Sequence, residues 1–317
     1  MEPRNDLERN RKFQMTALNS YLDAVDPNKP VLIAGPTASG KSALALELAA
    51  RQDRTIINAD ALQVYACWSV LTARPPVEDL KRAKHLLYGH QPFDAPYSVG
   101  TWLREVAEFL KSDPRPIIIG GTGLYFSALT EGLTDIPPIS GETRKRGDEL
   151  RAQNLFSMID MLKMNDPETV AGLDLENPMR VQRAWEVLEE TGRGLKAWQK
   201  DTPPPLIALH DADALVLQAS PEHLQPRIIR RFDRMLENGA LSEVENMLPR
   251  WNPELPSSRA IGAPELIAYV KGDLSLDDAR TRTIIATRQY AKRQRTWFRN
   301  RLRLWKTLDI AMDQPNM

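Results

Sequence analysis

Eight consecutive residues, Gly35-Pro36-Thr37-Ala38-Ser39-Gly40-Lys41-Ser42, satisfy G-x-x-x-x-G-K-[ST] at every fixed position, a spacing that builds a phosphate cradle. The apolar run Pro30–Ala34 before it suits a buried strand, and Ala43–Ala50 after it is rich in helix formers. In that strand–loop–helix order, backbone N–H groups and the helix N-terminus face phosphate oxygens. Lys41 adds a point charge, and the Ser42 hydroxyl is the expected ligand of a Mg²⁺. The motif does not choose the phosphate ester. Kinases, nucleotide hydrolases and one prenyl transferase family share it.

Further residues fit chemistry around such a cradle. The run Arg54–Asp60 reads as a second buried strand ending on an acid, and in doubly wound sheets the ligand crevice lies at the carboxyl ends of the strands. Asp60 is therefore expected beside the phosphate loop. A third apolar run, Pro114–Ile119, ends in Gly120-Gly121-Thr122-Gly123, where a nucleotide hydrolase would carry a magnesium-anchoring Asp. The glycines there are expected to let a ligand approach the backbone, with Thr122 as the only side-chain hydrogen-bonding group. In the helix expected over Gln225–Leu236, Arg227 and Arg231 share a face and can reach transferring phosphates. Ala279–Asn300 carries Arg280, Arg282, Arg288, Lys292, Arg293, Arg295 and Arg299 with no acid, a ridge suited to an anionic partner.

The chain that must position these groups has 317 residues, 42 % of them hydrophobic, with 42 Lys plus Arg against 42 Asp plus Glu, so net charge announces no nucleic-acid partner. The single cysteine, Cys67, excludes a disulfide framework and reads as a small buried hydrophobe. The four histidines lack metal-ligand spacing. No membrane span or signal peptide is evident, which points to the cytoplasm. Prolines at Pro137-Pro138 and Pro203-Pro204-Pro205 bracket a segment without a strand. The expected organisation is a leader over 1–29, an α/β core over 30–136 and 205–310, a helical insertion over 137–204, and a tail over 311–317. Leu18, Tyr21, Leu22 and Val25 recur at helical spacing within the leader, and Arg180 and Arg183 share a face of the insertion's last expected helix, Pro178–Thr191. The fold class expected is a P-loop NTPase-like parallel sheet with helices on both faces and an all-helical insertion.

These residues resemble the tRNA dimethylallyltransferase family. The resemblance rests on the phosphate loop, Asp60 with Gln63-Val64-Tyr65, Thr72-Ala73-Arg74-Pro75, Gly120–Tyr125 and Thr287–Arg299, and spans about residues 30–308. It implies transfer of a dimethylallyl group from dimethylallyl diphosphate to N6 of the tRNA adenosine 3′ of the anticodon, with pyrophosphate released. It implies Asp60 as general base and Thr122 as a second catalytic residue. The diphosphate would lie on Gly35, Pro36, Thr37, Ala38, Ser39, Gly40, Lys41, Ser42 and Arg231, with Mg²⁺ on Ser42. The anticodon stem-loop would meet Asp60, Ala61, Leu62, Gln63, Thr122, Arg144, Arg180 and Arg183. A monomer is expected. Ala61 stands where the family has Ser, Met179 where it has Gln, and Gly262-Ala263-Pro264 where it has Gly-Tyr-Arg. The residues by themselves leave a small-molecule or nucleoside kinase, and a nucleotide-driven RNA-binding switch, as alternatives.

Overall fold

A computed structural model describes residues 20–310; the rest of the expected leader and the expected tail lie outside them. The chain forms two compact units, one running to Thr130 and resuming at Leu206, the other Glu131–Pro205.

The first unit is built on a six-stranded parallel sheet in the order β3-β2-β4-β1-β5-β6. Its strands are β1 (Val31–Ala34), β2 (Ile56–Asn58), β3 (His85–Leu86), β4 (Ile117–Gly120), β5 (Asp213–Gln218) and β6 (Lys306–Asp309). β1 lies between β4 and β5, with Val31 opposite Ile117 and Asp213. The central strands are apolar on both sides because both faces are covered. Val31, Ile33, Ile117, Ile119, Leu215 and Leu217 pack against Leu44, Ala45 and Leu48 of α1 (Lys41–Gln52). Leu32, Ile57, Ile118 and Val216 face the other way, onto Trp102 and Val106 of α3 (Val99–Ser112) and Phe126 and Leu129 of α4 (Gly123–Glu131). Leu22 and Val25 complete the α1 side. Buried Arg54 ties them down by donating to the carbonyls of Asp26 at 2.7 Å and Lys29 at 2.6 Å.

A second core holds the loop between β2 and α2 (Val77–Arg82). Trp68 and Leu71 insert among Leu224, Ile228 and Phe232 of α10 (Pro221–Glu237), Val244 of α11 (Ala240–Met247), Leu266 of α12 (Ala263–Lys271), and Ile284 and Ala291 of α13 (Leu276–Arg301). Glu243 accepts the backbone N–H groups of Ser69, Val70 and Leu71, and Trp68 Nε1 donates to Ser257 O at 2.9 Å. Arg280 fixes α13 to α10 through a bidentate pair with Asp233 at 2.7 and 2.8 Å, so this member of the expected ridge is spent on packing.

Several elements depart from expectation. β3, only two residues long, and helices α11 and α12 carry no signal in the sequence reading. α10 begins at Pro221, where the Ser220 side chain accepts the His223 N–H at 3.3 Å; Pro226 lies inside the helix instead of opening it. Gly262, at φ 95°, is the left-handed entry to α12, so Ala263 and Pro264 lie in that helix's first turn. No helix of the described residues is long and apolar enough to cross a membrane.

The second unit is helical: α5 (Gly141–Gln153), α6 (Leu155–Asn165), α7 (Pro167–Val170), α8 (Pro178–Thr191) and α9 (Leu195–Lys200). Its own core is Met158, Ile159, Leu162, Val181, Ala184 and Trp185. Ser140, Asn154, Asp166 and Asn177 cap four of its helices, each accepting first-turn N–H groups.

Candidate active site

The phosphate loop leaves β1 and enters α1 through two left-handed residues, Ala38 at φ 63° and Gly40 at φ 90°. Ala38 adopts this conformation despite its Cβ, a strain characteristic of functional loops, and it turns successive N–H groups into one concavity. A Cβ on Gly35 would stand 2.8 Å from Ser39 Oγ, so the loop closes this tightly only around glycine. Ser39 Oγ is buried and has no partner, a donor left for a ligand oxygen.

Asp60 follows β2 and lies in the same cavity as Thr37, Lys41, Ser42 and Arg231. Buried Asn58 sets its backbone, accepting the Asp60 N–H at 2.9 Å and donating to Asp60 O at 2.9 Å and Leu87 O at 3.0 Å. One carboxylate oxygen, Oδ1, accepts the Leu62 N–H at 3.0 Å. Thr122, beyond β4, accepts the Ala61 N–H on its hydroxyl at 3.0 Å, which joins the ends of the two strands. Thus Ala61 and Leu62 contribute backbone donors that shape Asp60 and Thr122. Gln63 lines the cavity, but its amide donates to the carbonyls of Thr72 at 2.9 Å and Ala73 at 3.0 Å.

The cations of the site are compressed together. Burial, then the neighbouring Arg231 charge, push the Lys41 ammonium down to about 8, against the opposing pull of Asp60. Burial likewise lowers Arg231, with Asp60 the opposing charge. Lys41 Nζ donates to the Pro36 carbonyl at 3.4 Å, and Arg231 donates to the Thr37 hydroxyl. Two crowded cations beside a donor-lined loop demand an anion of more than one charge. Arg227 stands over the same loop, its Nη2 3.2 Å from where a Gly40 Cβ would be.

The cavity measures about 130 Å³ and is polar at one side, while Leu71, Ile228, Phe232, Met235 and Ile261 form an apolar wall. Thr283, Thr287 and Tyr290 of α13 line it as well. Buried Gln294, one turn beyond Tyr290, accepts the Thr37 N–H at 2.9 Å and donates to Gly121 O at 2.9 Å. The Thr37 N–H is therefore committed to the protein instead of the cradle. Thr283, Thr287, Tyr290 and Gln294 form a stripe at helical spacing inside the basic segment, a signal the sequence reading passed over in favour of the arginines.

The glycine turn is tightly packed. A Cβ on Gly120 would lie 2.0 Å from Ala59 O, on Gly121 2.2 Å from Gln294 Nε2, and on Gly123 2.1 Å from the Trp297 ring. The glycines make room for the protein's own chain, and Gly120 also lines the cavity. Cys67 is half-buried, and burial pushes its thiol up to about 11, which removes it as a nucleophile.

A divalent ion fits the donors present. The Ser42 hydroxyl and the Asp60 carboxylate are hard oxygens on the wall of one cavity, and no group of three or more His, Cys, Asp or Glu among the described residues forms a protein-only cage. This is the pattern for Mg²⁺ held mainly by phosphates and water.

In the helical unit, Arg144, Arg180 and Arg183 are exposed. Arg180 meets Asp174 at 3.8 Å and Arg183 meets Glu186 at 3.9 Å, both loose pairs. Arg144 is near enough for its charge to act on Arg183.

Comparison with known proteins shows what the chain is similar to. The family model "IPP transferase" matches residues 63–301, and "Isopentenyl transferase" matches 29–92. A tRNA dimethylallyltransferase of Dinoroseobacter shibae is 57 % identical over 284 residues, covering 90 % of this chain and 96 % of the relative. That of Paracoccus denitrificans is 54 % identical over 304 residues, covering 94 % and 100 %. Among solved structures, a eukaryotic dimethylallyltransferase described as acting on tRNA superposes with a TM-score of 0.78 at 27 % identity, covering 89 % of this chain and 74 % of that one. The tRNA isopentenylpyrophosphate transferase of Bacillus halodurans gives 0.63 at 28 %, covering 89 % and 90 %. With family models matching residues 29–301 and these relatives covering 90–94 % of it at 54–57 % identity, the chain belongs to the tRNA dimethylallyltransferase family.

Proposed function

We propose that this protein transfers a dimethylallyl group from dimethylallyl diphosphate to N6 of the adenosine 3′ of the anticodon in tRNA, releasing pyrophosphate. The observation that carries the reading is the crowding of Lys41 and Arg231 around a donor-lined loop that shares one cavity with Asp60 and an apolar wall. A diphosphate satisfies the cations, a five-carbon chain suits the wall, and an amine can meet the carboxylate.

In the reaction, the N6 lone pair attacks C1 of the allylic group as the C1–O bond breaks and its electron pair leaves with pyrophosphate. The amine loses a proton, and Asp60 accepts it. Lys41, Arg231, Ser39 and the N–H groups of Ala38, Gly40 and Lys41 stabilise the departing charge. Mg²⁺ bound by Ser42 would neutralise further charge on the leaving group. Leu71, Phe232, Met235 and Ile261 surround the five-carbon group and exclude water, which would otherwise capture the allylic carbon. Thr122 holds the Ala61 end of the Asp60 turn toward the base. Loop nucleotides leave their stack cheaply, which lets the adenine enter.

Arg144, Arg180 and Arg183 of the helical unit are proposed to hold stem-loop phosphates, as are Arg288, Lys292 and Arg295, which line a surface groove of about 360 Å³ along α10 and α13. A monomer working in the cytoplasm beside its tRNA completes the proposal. Incubation with labelled dimethylallyl diphosphate, Mg²⁺ and an anticodon stem-loop carrying consecutive adenosines is expected to label the RNA; ATP turnover on a small acceptor with no RNA labelling would replace this reading by a kinase.

A further inference from the structure

Tyr290 is a half-buried titratable residue in the cavity for which the reaction above has no use. The side chains of Thr122 and Gln294 act on its phenol. Both are oriented by other bonds. Thr122 Oγ1 accepts the Ala61 N–H at 3.0 Å. Gln294 Oε1 accepts the Thr37 N–H at 2.9 Å, which turns its Nε2 toward Gly121 O at 2.9 Å. Tyr290 lines the cavity that contains Asp60, and its O–H is a donor available there. The Arg293 guanidinium lies 5.8 Å from the Tyr290 ring centre and restrains the ring. Burial and the Asp60 charge both raise the phenol's pKa, so it keeps its proton.

Resting on the prenyl-transfer reading, we propose that the Tyr290 hydroxyl donates a hydrogen bond to an unprotonated ring nitrogen of the target adenine, beside the N6 amine whose proton Asp60 accepts. The cavity then reads the base as a donor next to an acceptor. Adenine offers that pair on either edge, N6–H with N1 or N6–H with N7. Guanine places O6 against the Asp60 carboxylate, which leaves both acceptors unpaired, and a site built around buried polar groups rejects such a base strongly. Thr122 and Gln294 act through Tyr290 in this role and need not touch the base.

The test compares wild type with Tyr290→Phe on three synthetic anticodon stem-loops whose target base is adenosine, 1-deazaadenosine or 7-deazaadenosine. Removing one hydrogen-bonding partner from a buried site is expected to lower kcat/KM about tenfold. Wild type should lose this on one deaza substrate, and Y290F should lose it on adenosine with no further loss on that same deaza substrate. The KM for dimethylallyl diphosphate should stay within about twofold. Y290F activity within twofold of wild type on adenosine overturns the inference. So does a loss in Y290F that is equal on all three substrates, because that describes a merely structural ring. If wild type labels no RNA at all, the underlying prenyl-transfer reading falls and this inference with it.

Discussion

The side chain of Gln294 accepts the Thr37 backbone N–H at 2.9 Å, and its amide donates to Gly121 O at 2.9 Å, so a single buried residue of α13 joins the phosphate loop to the turn that follows β4. Replacing it by Leu would leave a buried donor and a buried acceptor unpaired. Gln294→Leu is expected to lower stability by about 1–3 kcal/mol, read by denaturant unfolding, and to raise the KM for the prenyl donor more than that for RNA.

Gly121→Ala tests the same link from the other side. The added Cβ would stand 2.2 Å from Gln294 Nε2 and 3.4 Å from Asp60 Oδ2. Overpacking of this kind costs about 1–3 kcal/mol and displaces the clamp. The expected variant is folded, less stable and at least about tenfold slower in transfer. An unaltered rate would show that the turn tolerates what the geometry forbids.

Lys41 makes donor binding depend on pH. Its ammonium is held down at about 8 in the free protein by burial and by Arg231, and a bound diphosphate favours the protonated form. The sign follows: donor affinity is full below about pH 8 and falls as pH rises through that value. The decline should be visible in isothermal titration with dimethylallyl diphosphate. It should vanish in Lys41→Arg, whose guanidinium stays charged.

The groove cations should behave as phosphate contacts. Neutralising Arg288, Lys292 and Arg295 to Gln is expected to weaken stem-loop binding nearly independently of base sequence and to flatten the salt dependence by about 0.7–0.9 per lost contact. Binding as a function of KCl concentration measures it. Arg280→Gln, whose partner is Asp233, should leave that slope unchanged.

What the sequence made legible followed from strong local signals. The strand–loop–helix around Lys41, the apolar strand before Gly120 and the acid after Ile57 each carry their own pattern, and the crevice rule brings Asp60 to the cradle. The short strand His85–Leu86 has no pattern, because it pairs only at the sheet's edge with β2. α11 and α12 were hidden by glycine entries at Gly239 and Gly262 that read as loops. The glycine turn carries its own signal, but its crowding by Gln294 and Trp297 does not, since only tertiary structure brings them against it. Tyr290 and Gln294 were masked by the arginines between and around them, although their spacing with Thr283 and Thr287 marks one face of the helix.

Transfer needs a carboxylate that takes the amine proton while the cradle holds the leaving group, and Asp60→Asn separates the two directly. The substitution keeps shape and the Leu62 N–H acceptor but removes the base. Single-turnover transfer to the stem-loop should fall by about 10²–10⁴ while affinity for dimethylallyl diphosphate stays within about threefold. Transfer at the wild-type rate by Asp60→Asn would contradict it.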